Sequence, residues 1–444
     1  MNMKAKKLKY LLVGIFAIVA CTESNNEENV GNGEKTAVVS LYSEEGCLEE
    51  NLLAGNVLVT ESAPVSLDLN VPIHCQNVYM KYVSTSGERV KALVLSTPSR
   101  STVRSTASGP DDLLSFDWAT TRIVPVSVSL PEDAVSPTSE EDAGFRFYHN
   151  TGVAMFEDNW PVESGQDNDL NDVVVEYDLK VTECQNEELL PSQGYKEGLK
   201  LTLDVRAKGG IYPTRLGGVL EDLDSKYIDK VVTRIVLKKG QGMEDEWAVG
   251  TTSAEARETF NDKQQYCKVW VDMKNGSPVI TMDGLADLGN NSTFFQTTEG
   301  YIKVGLPMLR AEVTLTGKLR SELSTTESAA QLKAFWDLIL DTKKQNFFIT
   351  THDGRETHMK GYKPTYSYAR YETDSKGEMV EGTTYCNKNG FVWGFKVPVG
   401  VAHAYEKVLF DDAYPKFRGW VNSNGAENRD WYLHPEAGKI VRYW

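Results

Sequence analysis

From residue 38 to about 130 the apolar residues fall in short runs, at 57–59, 66–71, 78–83, 90–95 and 123–130, separated by Gly, Ser, Pro and Asn. Runs of that length bounded by turn formers predict strands. In Pro125-Val126-Ser127-Val128-Ser129-Leu130 the alternation is nearly one for one, which sets one face on a core and the other in water. The pattern predicts a small antiparallel β-domain of sandwich type over 37–135. A polar, proline-marked stretch over 131–142 then predicts a boundary, with a second β-rich region over 136–444.

That region repeats the short apolar runs at 173–181, 199–207, 231–238, 268–273, 279–282, 301–306 and 313–319. Residues 327–340 depart from it, because apolar side chains there recur at three- and four-residue spacing and predict one amphipathic helix. No repeat of fixed period argues for a solenoid or propeller. The expected fold is therefore mainly β, with antiparallel sandwich-like domains and one or few helices.

The start of the chain follows a different rule. Lys4, Lys6, Lys7 and Lys9 precede an uncharged run over 11–20, the layout of an export signal. The run is about half the ~20 residues a membrane-spanning helix needs. It ends in Ile18-Val19-Ala20-Cys21, an order that resembles a lipobox, so residues 1–20 are the expected lipoprotein signal and Cys21 the lipidated first residue of the mature chain. Two or more acyl chains make a durable membrane anchor. Residues 21–36, acidic at Glu23, Glu27, Glu28 and Glu34 and nearly devoid of apolar side chains, predict a disordered tether. An acidic run directly after a lipidated cysteine also resembles surface-export signals, which makes the cell-surface side of the outer membrane the expected location.

Loss of the four lysines takes the formal charge from −16 to −20, which argues against nucleic acid or anionic headgroups as partners. Five cysteines remain beyond Cys21, namely Cys47, Cys75, Cys184, Cys267 and Cys386, without close pairing. A Cys47–Cys75 bridge stays open, but a zinc cluster or disulfide framework is not supported.

The most informative stretch is Phe156-Glu157-Asp158-Asn159-Trp160-Pro161, followed by Asp167-Asn168-Asp169-Leu170-Asn171-Asp172 and Val173-Val174-Val175. Calcium takes six to eight oxygen ligands, and a loop with acid or amide at alternate positions delivers several at once. Asp167, Asp169 and Asn171 have that spacing; Asp158, Asp172 and the further candidate Glu157 complete the expected calcium shell if the intervening turn folds the two segments together. An EF-hand is excluded by Asp172 where its turn needs Gly, by Asp178 where it needs Glu, and by the Val-rich strand where it needs a helix. An empty acidic turn is the alternative, in which these carboxylates would repel one another.

These residues resemble the LruC domain family of outer-membrane lipoproteins, whose pattern is F-E-D, Trp-Pro, then G-D-x-D-[FL]-N-D and a hydrophobic strand. Gln166 stands where the pattern has Gly. Asn346-Phe347-Phe348-Ile349, Gly354 to Met359, Lys363-Pro364-Thr365, the segment 393–398, Asp412 to Phe417 and Asp430-Trp431-Tyr432 resemble later blocks in order, and Ala207-Lys208-Gly209-Gly210-Ile211-Tyr212 approximates a middle one. The resemblance covers about residue 140 to the C-terminus. It implies location, β-structure and an acidic motif, and no reaction.

The expected function is that of a non-catalytic, calcium-stabilised binding or structural lipoprotein, adhesive or glycan-binding, with a glycan or protein ligand. Trp393, Trp420, Trp431, Tyr432, Tyr443 and Trp444 could stack on sugars, although packing is the commoner role of such rings. The alternative is a glycan-active hydrolase using paired carboxylates. The chain carries no G-x-S-x-G, H-E-x-x-H or P-loop, and His352 and His358 at a spacing of six fit no zinc signature.

Overall fold

Six strands form where the N-terminal pattern alternates: β1 (Thr36–Ser43), β2 (Asn51–Thr60), β3 (Val65–Pro72), β4 (Asn77–Val83), β5 (Arg89–Ser96) and β6 (Thr121–Val128). Every second residue of β1 is buried. Strand β6 pairs with β3 alone in a two-stranded sheet, so Pro125 removes no ladder bond from a central strand. The chain continues through β7 (Phe145–Phe156), β8 (Val173–Cys184), β9 (Gly198–Ala207), β10 (Pro213–Leu220), β11 (Ile228–Lys238), β12 (Glu246–Ala248), β13 (Lys268–Asp272), β14 (Val279–Asp283) and β15 (Met308–Gly317). Helix α1 (Thr325–Leu340) precedes β16 (Gln345–Thr351), β17 (Glu356–His358) and β18 (Gly394–Val397), and α2 (Tyr371–Asp374), α3 (Phe410–Ala413) and α4 (Phe417–Asn422) are short turns of helix among the last 80 or so residues. This computed structural model describes residues 34–43, 51–96, 121–136, 144–163, 167–185, 197–238, 246–248, 267–288, 294–302 and 308–441. The expected signal 1–20, Cys21, most of the tether, Cys47, Tyr443 and Trp444 lie outside them, as does most of the strand expected at 301–306.

An eleven-stranded sheet runs β12-β11-β15-β9-β8-β7-β2-β1-β4-β5, with β18 also on β7; a five-stranded sheet runs β13-β14-β10-β16-β17. Their inward residues, among them Leu201, Leu203, Leu216, Ile280, Val313, Phe347 and Ile349, share one largely aliphatic core. The fold is mainly β and antiparallel, as expected. The boundary expected at 136 falls within a continuous sheet: Ala54 and Gly55 of β2 pair with Tyr148 and Phe147 of β7, and residues 35–444 form one compact unit.

Helix α1 starts two residues before the apolar period because Ser324 caps it. The Ser324 side chain accepts from Glu327 N–H and the Glu327 carboxylate accepts from Ser324 N–H, a reciprocal capping box. At its other end the Ile339 carbonyl accepts from Asn70 and Asn150 and the Leu338 carbonyl from Gln345, so the last turn is satisfied by amides from the sheets. Phe335, Leu338 and Ile339 join the aliphatic core.

Strands β7 and β8 are the axis of the molecule. Over their paired ends, Phe156 and Val173 face the aliphatic core while Met155 and Val174 face a second, aromatic core, so the run Val173-Val174-Val175 is buried on both sides. Gly152 is required in β7, since a Cβ there would lie 2.4 Å from Tyr177 Oη and 2.8 Å from the Val397 carbonyl.

Candidate functional site: an acidic pocket at the end of the central hairpin

The segment 157–172 connects β7 to β8, whose last pair is Phe156 with Val173. Glu157 and Asp172 therefore stand opposite each other, and Asp158 N–H donates to Asp172 Oδ2 at 2.6 Å. Leu170 N–H donates to Glu157 Oε2 at 3.1 Å. Asn168 and Leu170 both adopt left-handed backbone, with φ of 50° and 53°. Asparagine tolerates this and leucine rarely does; Leu170 is held there by burial in the aromatic core beside Trp160.

Three further segments reach the hairpin end. Residues 208–212 leave β9 beside the loop, and Gly209 and Gly210 N–H donate to the Asn171 and Asp172 carbonyls. Trp393, just before β18, accepts from Glu157 N–H through its carbonyl and donates from Nε1 to Asn159 Oδ1 at 2.6 Å. Residues 404–407 close the far side: Ala404 O accepts from Asn171 Nδ2 at 3.1 Å, and Lys407 N–H donates to Asp169 Oδ2 at 2.7 Å.

The carboxylates fall into two groups, Glu157 with Asp158 and Asp172, and Asp167 with Asp169 and Glu406; within each group one oxygen per residue lies within 4.8 Å of the others. The five expected acidic ligands are thus divided between the two groups, and Asn171 joins the second through its N–H, which donates to Asp169 Oδ1 at 3.3 Å. Glu157, Asp158, Asp169, Asn171 and Asp172 are buried, whereas Asp167 and Glu406 are half-exposed. Glu406 is the ligand candidate that sequence reasoning missed: it is one of 63 acids, with no motif around it. Its Oε2 accepts from Thr297 Oγ1 at 3.0 Å.

Burial is the first cause of the pocket's altered acidities. It pushes Glu157 up to about 8, with Asp158 and Asp167 adding repulsion, Asp158 up to about 6 and Glu406 up to about 7. Asp169 and Asp172 are raised well above the ordinary carboxylate range by burial and then by Glu157. Lys208 eases the rise at Asp158, and Lys407 that at Glu406.

Two observations fit this donor set to a hard cation. Asn171 Oδ1 is buried with no hydrogen-bond partner. Because its Nδ2 is committed to Ala404 O, the amide's orientation is fixed and the bare oxygen turns to the other side. The pocket is also cradled by glycine: a Cβ on Gly209 would lie 2.0 Å from Asn171 Oδ1 and 2.9 Å from Glu406 Oε2, and one on Gly210 2.3 Å from Asp158 Oδ2 and 2.6 Å from Asp172 Oδ1. All-oxygen donors of this kind suit calcium better than zinc.

The other candidates resolve as packing. Trp393, Trp420, Trp431 and Tyr432 are buried in the aromatic core. His358 is buried, its Nδ1 on Asn346 Oδ1 at 2.7 Å and its Nε2 on Glu356 Oε2 at 3.0 Å, so its partners are structural. His352 is exposed on the strand-end loop.

With this architecture in view, the chain matches the family described as a domain of unknown function, DUF4842, over residues 197–432, more than half its length. It belongs to that family. It is similar to the crystal structure of a "Putative lipoprotein" from Bacteroides ovatus, with 43% identity over 92% of this chain and 100% of that one and a TM-score of 0.76. No curated protein matches it. The family match includes the Gly209-Gly210 wall, Thr297 and Glu406, while the loop 157–172 lies N-terminal to it.

Proposed function

We propose that the protein is a lipid-anchored, non-catalytic binding or structural lipoprotein of the outer membrane, displayed at the cell surface, whose acidic pocket holds one calcium ion between the β7–β8 hairpin and residues 404–407. The observation that carries the metal is Asn171 Oδ1, a buried acceptor without a donor, which shares the space over Gly209 with Glu406 Oε2 and belongs to a residue whose N–H is held by Asp169. Leaving such an oxygen unsatisfied costs about 1–3 kcal/mol, and a cation meets it while relieving the repulsion among the acids. Glu157, Asp158 and Asp172 form the adjoining wall.

The anchor rests on the export signal and the lipobox-like Ile18-Val19-Ala20-Cys21, with support from the lipoprotein designation of the Bacteroides ovatus relative. The acidic tether supports display at the surface. The motif of 156–172, N-terminal to the stretch that matches DUF4842, contributes only its resemblance to LruC lipoproteins.

Calorimetric titration of calcium into wild type and into Asp167→Asn/Asp169→Asn tests the metal. Wild type is expected to bind one ion and the double variant, equal in side-chain size, to lose it; a wild type without calcium heat sinks the site. Labelled palmitate tests the anchor, since Cys21→Ser should take up none and leave the membrane fraction.

A further inference from the structure

The proposed cation is open on one side. Calcium takes six to eight oxygens, and among the described residues the second group offers three carboxylates beside Asn171. Asp169 gives each of its oxygens to a backbone N–H, of Asn171 and of Lys407, Glu406 has one oxygen on Thr297, and Asn171 has a single oxygen to give. Asp169 and Asn171 lie inside while Asp167 and Glu406 reach the surface, so the positions left unfilled face outward.

The glycine wall of the pocket continues into two exposed side chains. Gly209-Gly210 continues into Ile211 and Tyr212, which are 65% and 39% exposed. Tyr212 is fixed at its backbone, its N–H donating to Asp158 Oδ2 at 3.1 Å and its carbonyl accepting from His352 N–H at 3.0 Å. Its ring lies 5.4 Å from that of His352, tilted by 32°.

Resting on the calcium reading, we infer that the outward positions are taken by a vicinal diol of a glycan, with the sugar's C–H face on Tyr212. The charge of the pocket selects this class. Six carboxylates gather around it, so a ligand that adds negative charge, such as an anionic lipid headgroup or an acidic peptide, is repelled, whereas a diol brings two neutral oxygens. A tyrosine face beside a hydroxyl-binding point matches the amphipathic surface of a pyranose ring.

The test uses the full-length chain in detergent on an array of neutral oligosaccharides, followed by saturation-transfer NMR with methyl α-mannoside and its permethylated form, each in calcium and in chelator. Binding should appear with calcium, vanish in chelator and be absent for the permethylated sugar. Tyr212→Ala should weaken it about fivefold while the rise in melting temperature with calcium is unchanged. Calcium that raises the melting temperature with no glycan bound, or glycan binding indifferent to chelator, overturns the inference and leaves the calcium reading standing. Calcium-dependent retention on phosphatidylserine vesicles in place of glycans overturns it as well. A melting temperature indifferent to calcium overturns the calcium reading itself.

Discussion

The molecule has two cores of opposite character. The aliphatic core is filled by Val, Leu and Ile from strands of both large sheets, and its members repeat every second residue. The aromatic core is filled by Trp160, Tyr385, Trp393, Phe395, Phe410, Tyr414, Phe417, Trp420 and Trp431, delivered mostly by turns and helices of four to six residues. Ladders of backbone hydrogen bonds hold the first, and its side chains only have to be apolar and alternate. The second has little ladder, so ring geometry and single bonds such as Trp393 to Asn159 take that part. The acidic pocket lies at the seam, where β7 and β8 give one face to each core.

Removing a ring from the aromatic core should have the largest effect. Trp431 is fully buried against Phe395, Phe410, Tyr414, Phe417 and Trp420, and Trp431→Ala should cost about 3–5 kcal/mol. Because the two cores share β7 and β8, near-UV and far-UV circular dichroism should fall together in denaturant. An earlier, separate aromatic transition would show the cores to be independent.

Calcium comes next. At a hundredfold excess over Kd a ligand that binds only the folded chain adds ~2.7 kcal/mol, so chelator should lower the melting temperature measurably. The effect depends on pH. Asp158, Glu406 and Glu157 have folded pKa values raised to about 6, 7 and 8, above the ordinary ~4. The folded chain therefore holds protons more tightly than the unfolded one. In chelator their contribution to stability is full below about pH 4 and is lost as pH climbs through those values. Calcium needs the deprotonated groups, so its stabilisation grows over the same window. Melting curves from pH 5 to 8.5 should diverge between calcium and chelator; parallel curves would count against a cation at the seam.

Gly209→Ala probes the cradle alone. Its Cβ would meet Asn171 Oδ1, and overpacking of this kind costs about 1–3 kcal/mol. Calcium binding should fall with it, as read by titration calorimetry. Unaltered binding would move the cation away from Asn171. The smallest change lies far from the seam: Ser324→Ala removes the cap of α1 and should cost about 1 kcal/mol, equally with calcium and with chelator.

The contrast between the cores also explains what could be read from the sequence. The short apolar runs revealed β3 through β6 to within about two residues but only the end of β2, and marked no separate run for β1; helical spacing revealed α1 apart from its cap. Apolar runs did not reveal β7, because after Tyr148 the buried positions of its first half are held by Asn150, which bonds the Ile339 carbonyl, and by Gly152, which makes room for Tyr177, so burial alternates there without an apolar period. The boundary expected at 136 rested on a polar stretch that joins β6 of the two-stranded sheet to β7 of the large one, while β2 from before it pairs with β7. At the pocket, the acids of 157–172 announce themselves by local spacing. Glu406 does not, since it is placed by tertiary contacts of Tyr405 and Glu406 with Lys439 and Thr297.

That distance along the chain gives the pocket an order of assembly. A chain made and exported from its N-terminus presents the 157–172 loop long before residues 404–407 exist, and contacts of such separation form late. Until they arrive, Asn171 has no carbonyl to fix its amide and Asp169 no Lys407 N–H. The complete pocket is thus a property of the finished polypeptide, and a chain broken off before residue 404 keeps the acids of 157–172 without Glu406 and without the backbone partners that hold Asn171 and Asp169.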